Sequence, residues 1–246
     1  MPDRQDSKPM IEVARSGSFP ELPPTSLTDI ASIRENDWAA FCDVEQMVNH
    51  WGRNAWPAGR EVYFWYLTFE DQNLVNLVAG CHAGVGPDGI DFVPLDALHM
   101  TILRIGDCSE ITEGDIHAIA DEAKQRLSEV RSFNLSVGPL AGSRGAIRFT
   151  VSPWNELFKV HQIVRESTRK VLPALAIAST TGFRPHIGVG YSNQKQDAEP
   201  FIKQVSSLRH IAPVTVRVDT VKIVRLRREP HTYRWSDVAE ITLVAS

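Results

Sequence analysis

Cysteine is scarce in this chain: Cys42, Cys81 and Cys108 are the only three. Three scattered thiols cannot build a disulfide framework, and their spacing is not that of a zinc site. They read as small thiols of a reducing compartment. Also missing is any apolar run near the roughly 20 residues that a membrane helix needs. No basic segment followed by an apolar core opens the sequence, so no secretory signal is visible and a cytoplasmic location is expected. Excess positive charge is lacking as well. A net charge of −4 argues against long nucleic-acid duplexes, whose binding depends on many cationic phosphate contacts. It leaves room for a small anionic ligand, which needs only local donors. What is present suffices for a folded domain: 246 residues, 43% of them hydrophobic, can bury a substantial core. The expectation is a monomer with no membrane partner.

Residues 1–24 carry Pro, Ser and mixed charge without periodicity and read as a mobile arm, leaving 25–246 as one domain. Trp38, Phe41, Val44, Met47 and Val48 fall at three- and four-residue steps and predict a helix with one apolar face. From residue 61 a repeating order emerges. EVYFWYLT (Glu61 to Thr68) predicts a strand, Gln72 to Ala83 a helix, Leu98 to Ile105 a strand and Glu113 to Val130 a helix. Phe133 to Val137 predicts a third strand, closed by the turn-rich GPLAGSRG. The order then recurs: strand Ala146 to Val151, helix Trp154 to Leu172, strand His186 to Tyr191, helix Ala198 to Leu208, strand Val214 to Val224. A last strand, Tyr233 to Val244, ends the chain. His99 and His186 stand 87 positions apart, and Glu113 and Asp197 stand 84 apart. Two βαβαβ units with a histidine opening each second strand suggest an internal duplication, with lobes built mainly on 61–137 and 145–244.

Strand alternation puts His99 and Thr101 on one face, and Met100 and Ile102 on the other. In the second unit His186, Gly188 and Gly190 form one row, and Ile187, Val189 and Tyr191 the packing row. His99-Met100-Thr101 and His186-Ile187-Gly188 resemble the paired His-x-Thr/Ser motifs of the two-histidine (2H) phosphoesterases, a superfamily that includes the bacterial 2′-5′ RNA ligase-like proteins and cyclic phosphodiesterases. Asn49 to Phe69, Leu98 to Gly106 and Phe183 to Asn193 are also similar to segments of such proteins. The resemblance runs from about Phe19 to Leu243. It implies an α+β, bilobal fold of two pseudo-symmetric halves, whose mainly antiparallel sheets flank a central cleft.

The resemblance further implies a metal-independent phosphodiesterase or RNA end-processing enzyme, with no cofactor. Its substrate would be a small nucleotide or RNA end carrying a 2′,3′-cyclic phosphate or a 2′-5′ linkage. Opening such an ester needs one proton removed and another delivered. Two imidazoles near neutrality can split these tasks, each worth roughly 10²–10⁴-fold. His99 and His186 are the expected catalytic pair, in either order of acid and base, and Thr101 the expected donor to a non-bridging oxygen. Gly188 stands where the family has Thr or Ser. Water or Arg184 could stand in for the missing donor, or the space could suit a bulky substrate. Alternatively the protein binds a nucleotide or RNA end without turning it over, or serves a non-RNA phosphodiester. Glycine at 188 and 190 also permits close ligand approach, or marks a kink.

Arg184, before a Pro that favours extended backbone, is either a phosphate ligand or a surface residue. Trp65 and Tyr66 either pack in the core or, in the case of Tyr66, stack on a base. Gly84 to Gly89 has the letters of a dinucleotide loop, but it follows a helix and opens none, so it is read as a turn. His50, His82, His117, His161, His210 and His231 lack metal-ligand spacing. Lys222, Arg225, Arg227 and Arg228 read as a solvated strand end that could steer an anion.

Overall fold

The computed structural model describes residues 19–52 and 56–245. Most of the expected arm (1–18) therefore lies outside the described residues. The chain runs α1 (Ile30–Cys42), β1 (Gln46–Met47), β2 (Glu61–Thr68), α2 (Gln72–Val85), β3 (Ile90–Phe92), β4 (His99–Asp107), α3 (Glu113–Leu127) and β5 (Phe133–Ser143). It continues through β6 (Ala146–Ser152), α4 (Asn155–Val171), β7 (His186–Ser192), β8 (Gln196–Asp197), α5 (Glu199–Leu208), β9 (Val214–Val218), β10 (Thr220–Glu229) and β11 (Thr232–Thr242). The fold is α+β, as expected. A four-stranded sheet runs β11-β10-β2-β4 and a five-stranded sheet β3-β7-β6-β5-β9; every pairing within them is antiparallel.

Local chemistry sets the helix starts. Asp29 and Asp71 cap the first turns of α1 and α2 with their carboxylates, and Thr112 with Asp115 forms a reciprocal capping box on α3. Helices α3 and α4 pack together against the four-stranded sheet, α2 and α5 against the five-stranded one. The fully buried Trp65 donates its indole N–H to Thr168 of α4 (3.2 Å), so it belongs to the core. Its neighbour Tyr66 points to the opposite face, with Val224 and Leu226 and the partly buried Trp56, Phe64, Tyr233 and Trp235. That aromatic face looks toward the second sheet.

Several elements depart from expectation, each for a local reason. The first helix is Ile30–Cys42, not a helix continuing to Val48: Asp29 starts it, and Met47 instead pairs with Gln196 in the small β1–β8 ribbon. The segment GPLAGSRG is mostly strand. β5 bulges at Gly138–Pro139 and continues to Ser143, leaving only Arg144-Gly145 to turn into β6. The span expected as one strand from Val214 to Val224 breaks at Asp219 into β9 and β10, which join different sheets. Consequently the repeats exchange strands. β2 and β4 share their sheet with β10 and β11, while β6 and β7 share theirs with β5 and β9, so each lobe draws on both halves of the sequence.

Candidate active site

Strands β4 and β7 each open on a histidine and bring Cα atoms within 8 Å of one another across the two sheets. The two imidazoles are held alike. His99 Nδ1 lies 2.9 Å from the carbonyl of Ala97, and His186 Nδ1 lies 2.8 Å from the carbonyl of Arg184. A carbonyl only accepts, so Nδ1 carries the hydrogen in both rings and each neutral imidazole presents a bare Nε2 lone pair. Burial lowers the pKa of both to about 4. For His186 the Arg148 charge adds to that effect and His99 contributes a smaller repulsion. The histidines are therefore close enough to oppose each other's protonation, and both are neutral near pH 7.

The surroundings of each ring differ. Tyr66, 2% exposed, stacks on His99 with centroids 4.5 Å apart and planes 10° apart, and Trp235 meets His99 edge-on at 5.1 Å. Tyr66 is thereby spent on orienting His99 and has no free face for a base. Thr101 pairs with Tyr66 across the sheet, so the two side chains share the His99 face. Around His186, Thr150 and Arg148 stand opposite His186 and Gly188 on β6. Arg148 and Asp37 of α1 form a bidentate ion pair (2.9 and 3.0 Å), each partner 1% exposed, and Thr150 donates to the same carboxylate at 2.8 Å. Phe19 closes this side, its ring 4.9 Å from His186 and 4.8 Å from the Arg148 guanidinium carbon. A cavity of about 740 Å³ opens beside Thr101 and His186, with Phe64, Arg104 and Arg184 in its wall.

Two residues of the expected site, and one of the expected packing row, take other positions. Arg184 reaches the cavity wall, but it donates to the carbonyls of Pro20, Glu21, Thr181 and Phe183. Its N–H groups tie the segment at Phe19–Glu21 to the loop before β7. Gly190 is not in the histidine row. A Cβ there would lie 2.5 Å from Ile90 Cγ2 and 3.2 Å from Phe92 Cδ1, so it makes room for β3. Tyr191 is not in the packing row. Gly188 pairs with Arg148 and Gly190 with Ile147, which leaves Val189 without a partner; this one-residue bulge reverses the faces beyond it. Gly188 itself lies on the cleft side, as expected. Sequence reasoning missed Tyr191, Trp235, Phe19 and the Asp37–Arg148 pair. A bulge leaves no periodic trace, and the others are brought in by segments distant in sequence.

Of the segment Gly84 to Gly89, Gly84 and Val85 end α2 and only Gly86 to Gly89 turn, with Gly86 and Gly89 at φ 74° and 75°. His161 packs against Phe183 and bonds Thr180. Among the described residues, no three His, Cys, Asp or Glu side chains gather as a metal ion would require, and no helix is long and apolar enough to cross a membrane.

Comparison with known proteins agrees with this fold. No curated protein matches the sequence. Among solved structures, one described as a phosphoesterase aligns with TM-score 0.56 and 14% identity over 75% of this chain and 99% of that one. Ligand-free E. coli LigT aligns with TM-score 0.54, 14% identity and coverage of 75% and 98%. A structure from Thermus thermophilus aligns with TM-score 0.54, 17% identity and coverage of 76% and 98%. At such identities the likeness is one of fold. The sequence of residues 86–230 matches the family model of the 2′-5′ RNA ligase superfamily. That stretch spans more than half of the chain and holds both histidine motifs, so this protein belongs to the 2′-5′ RNA ligase superfamily.

Proposed function

We propose that this protein is a phosphodiesterase acting on a 2′,3′-cyclic phosphate or a 2′-5′ phosphodiester of a small nucleotide or RNA end, with His99 and His186 as general base and general acid. The observation that carries the reading is the matched tethering of the two rings through Nδ1, which leaves both Nε2 atoms for proton transfer. In hydrolysis of a cyclic phosphate, one Nε2 takes a proton from the attacking water as its oxygen bonds to phosphorus. The other histidine, protonated, gives its proton to the ribose oxygen as the P–O bond breaks, and a nucleoside monophosphate results. Both rings are neutral in the unliganded cleft, so the acid must gain its proton with the substrate. The phosphate's negative charge offsets the burial that holds the pKa down. In this reading Thr101, on the same strand face as His99, donates to a non-bridging oxygen. This scheme assigns both proton transfers to side chains and calls for no metal. Structures of E. coli LigT with 3′-AMP, TM-score 0.51 and 16% identity, and with phosphate support a small phosphorylated ligand for a cleft of this fold.

The missing side chain at Gly188 favours a second reading, a nucleotide- or RNA-end-binding protein without turnover. The discriminating experiment incubates the protein with EDTA and a panel of 2′,3′-cyclic nucleotides and 2′-5′ dinucleotides, beside His99→Ala and His186→Ala. Turnover by wild type that falls at least about 10²-fold in each variant is expected. Binding without turnover in wild type would establish the second reading instead.

A further inference from the structure

The two motifs are unequal: two positions after His99 stands Thr101, but two positions after His186 stands Gly188. A Cβ built on Gly188 meets the hydroxyl oxygen of Tyr191 at 3.4 Å, ahead of Val93 at 3.6 Å. The phenol oxygen thus lies against the spot from which a Ser or Thr side chain would project. The bulge at Val189 turns Tyr191 to this face, and the ring is then braced from three sides. His50 lies 4.2 Å away, Trp51 meets it edge-on at 5.3 Å, and Tyr233 of the other sheet at 5.6 Å and 88°. We propose that the Tyr191 phenol is the second phosphate donor of the site: its O–H replaces the hydroxyl absent at Gly188 and donates to a non-bridging oxygen of a phosphate held between His99 and His186.

Two further observations fit. The Tyr191 ring meets Tyr233 of β11, two residues from the Trp235 that leans on His99, which sets it at the seam between the motifs. Burial, reinforced by Tyr66 and Tyr233, raises its pKa, so it stays a donor at every pH where the histidines work. A hydroxyl on a ring wedged among aromatics also has less rotational freedom to lose than a serine hydroxyl. The gap at Gly188 is then the space a tyrosine needs, and it does not signal a lost activity.

This inference rests on the two-histidine reading, and the test separates the two. Wild type, Tyr191→Phe, Gly188→Ser and the double variant are compared for turnover of a 2′,3′-cyclic nucleotide and, independently, for binding of inorganic phosphate by calorimetry. Tyr191→Phe keeps the ring and its packing. It is expected to lower kcat roughly 10²–10³-fold and to weaken phosphate binding about tenfold. Gly188→Ser alone brings no gain, because the phenol already occupies the position; added to Tyr191→Phe it restores at least a tenth of the lost rate. Phosphate affinity and kcat both within twofold of wild type in Tyr191→Phe would overturn the proposal. If wild type binds phosphate but turns nothing over, a loss of affinity in Tyr191→Phe keeps the donor and removes only the catalytic reading. If wild type neither binds phosphate nor turns over substrate, both are refuted.

Discussion

Removal of the Asp37 carboxylate should unfold much of the margin by which this protein is stable, and it should do so next to His186. Asp37 and Arg148 are each 1% exposed, and their two parallel hydrogen bonds at 2.9 and 3.0 Å join α1 to β6. Arg148 Nε has no partner among the described residues, so the guanidinium depends on this one carboxylate. Asp37→Ala leaves a buried cation uncompensated, at a cost of about 3–5 kcal/mol. Domains hold only about 5–15 kcal/mol in all. Deleting both charges as Asp37→Leu with Arg148→Met should recover most of that loss, because two well-packed apolar side chains carry no desolvation penalty. Urea unfolding followed by tryptophan fluorescence measures both variants. The titration of His186 by NMR gives a second readout. Arg148 lowers its pKa and Asp37 raises it, with burial the larger effect. Asp37→Ala should therefore push it further below about 4, and the double variant should raise it. A cost under about 1 kcal/mol for Asp37→Ala, or a double variant no more stable than the single one, would refute a sealed, mutually dependent pair.

Two other outcomes follow from the geometry. Burial lowers the pKa of His99, His161 and His186 to about 4 from an ordinary 6.5. The unfolded chain thus takes up protons that the folded one refuses. The contribution of these rings to stability is complete above pH 6.5 and is lost as pH falls toward 4; urea midpoints at pH 7, 5.5 and 4.5 should fall in that order, and equal midpoints would contradict it. Gly190→Ala sets a methyl 2.5 Å from Ile90 and should cost about 1–3 kcal/mol through displacement of β3, with phosphate affinity retained. A loss of affinity at unchanged stability would return Gly190 to the cleft.

The sequence revealed those parts of the molecule that rest on local periodicity. Trp65 and Tyr66 sit on the expected strand because β-branched and aromatic residues fill it. Met100 and Ile102 pack inward while His99 stands on the opposite row, as period-two reasoning requires. The two histidines were legible for the same reason, each being the first residue of a strand with an apolar neighbour. What alternation cannot show is where it stops. The register shift at Val189 moved Tyr191 into the cleft and Gly190 out of it, and the break at Asp219 sent β10 to the other sheet. Arg184 and Arg148 make the same point for charge. The arginine beside the motif is spent on backbone carbonyls, while the one that acts on His186 lies 38 positions earlier, on a neighbouring strand.

The exchange of strands between the two halves of the sequence also explains how two separate histidine motifs come to lie side by side. If each repeat closed its own sheet, nothing but a linker would fix the distance between the histidines. Instead the last hairpin, β10–β11, joins the sheet of His99, although it lies in the half of the sequence that carries His186. Its Trp235 leans on His99 and its Tyr233 leans on Tyr191. One rigid strand thus braces a group from each motif, at positions only two residues apart. Side chains at i and i+2 of a strand share a face and a fixed spacing, so the relative placement of the two halves is set by a single piece of backbone. Neither half of the sequence closes this arrangement alone, because each supplies strands to the sheet that carries the other's histidine.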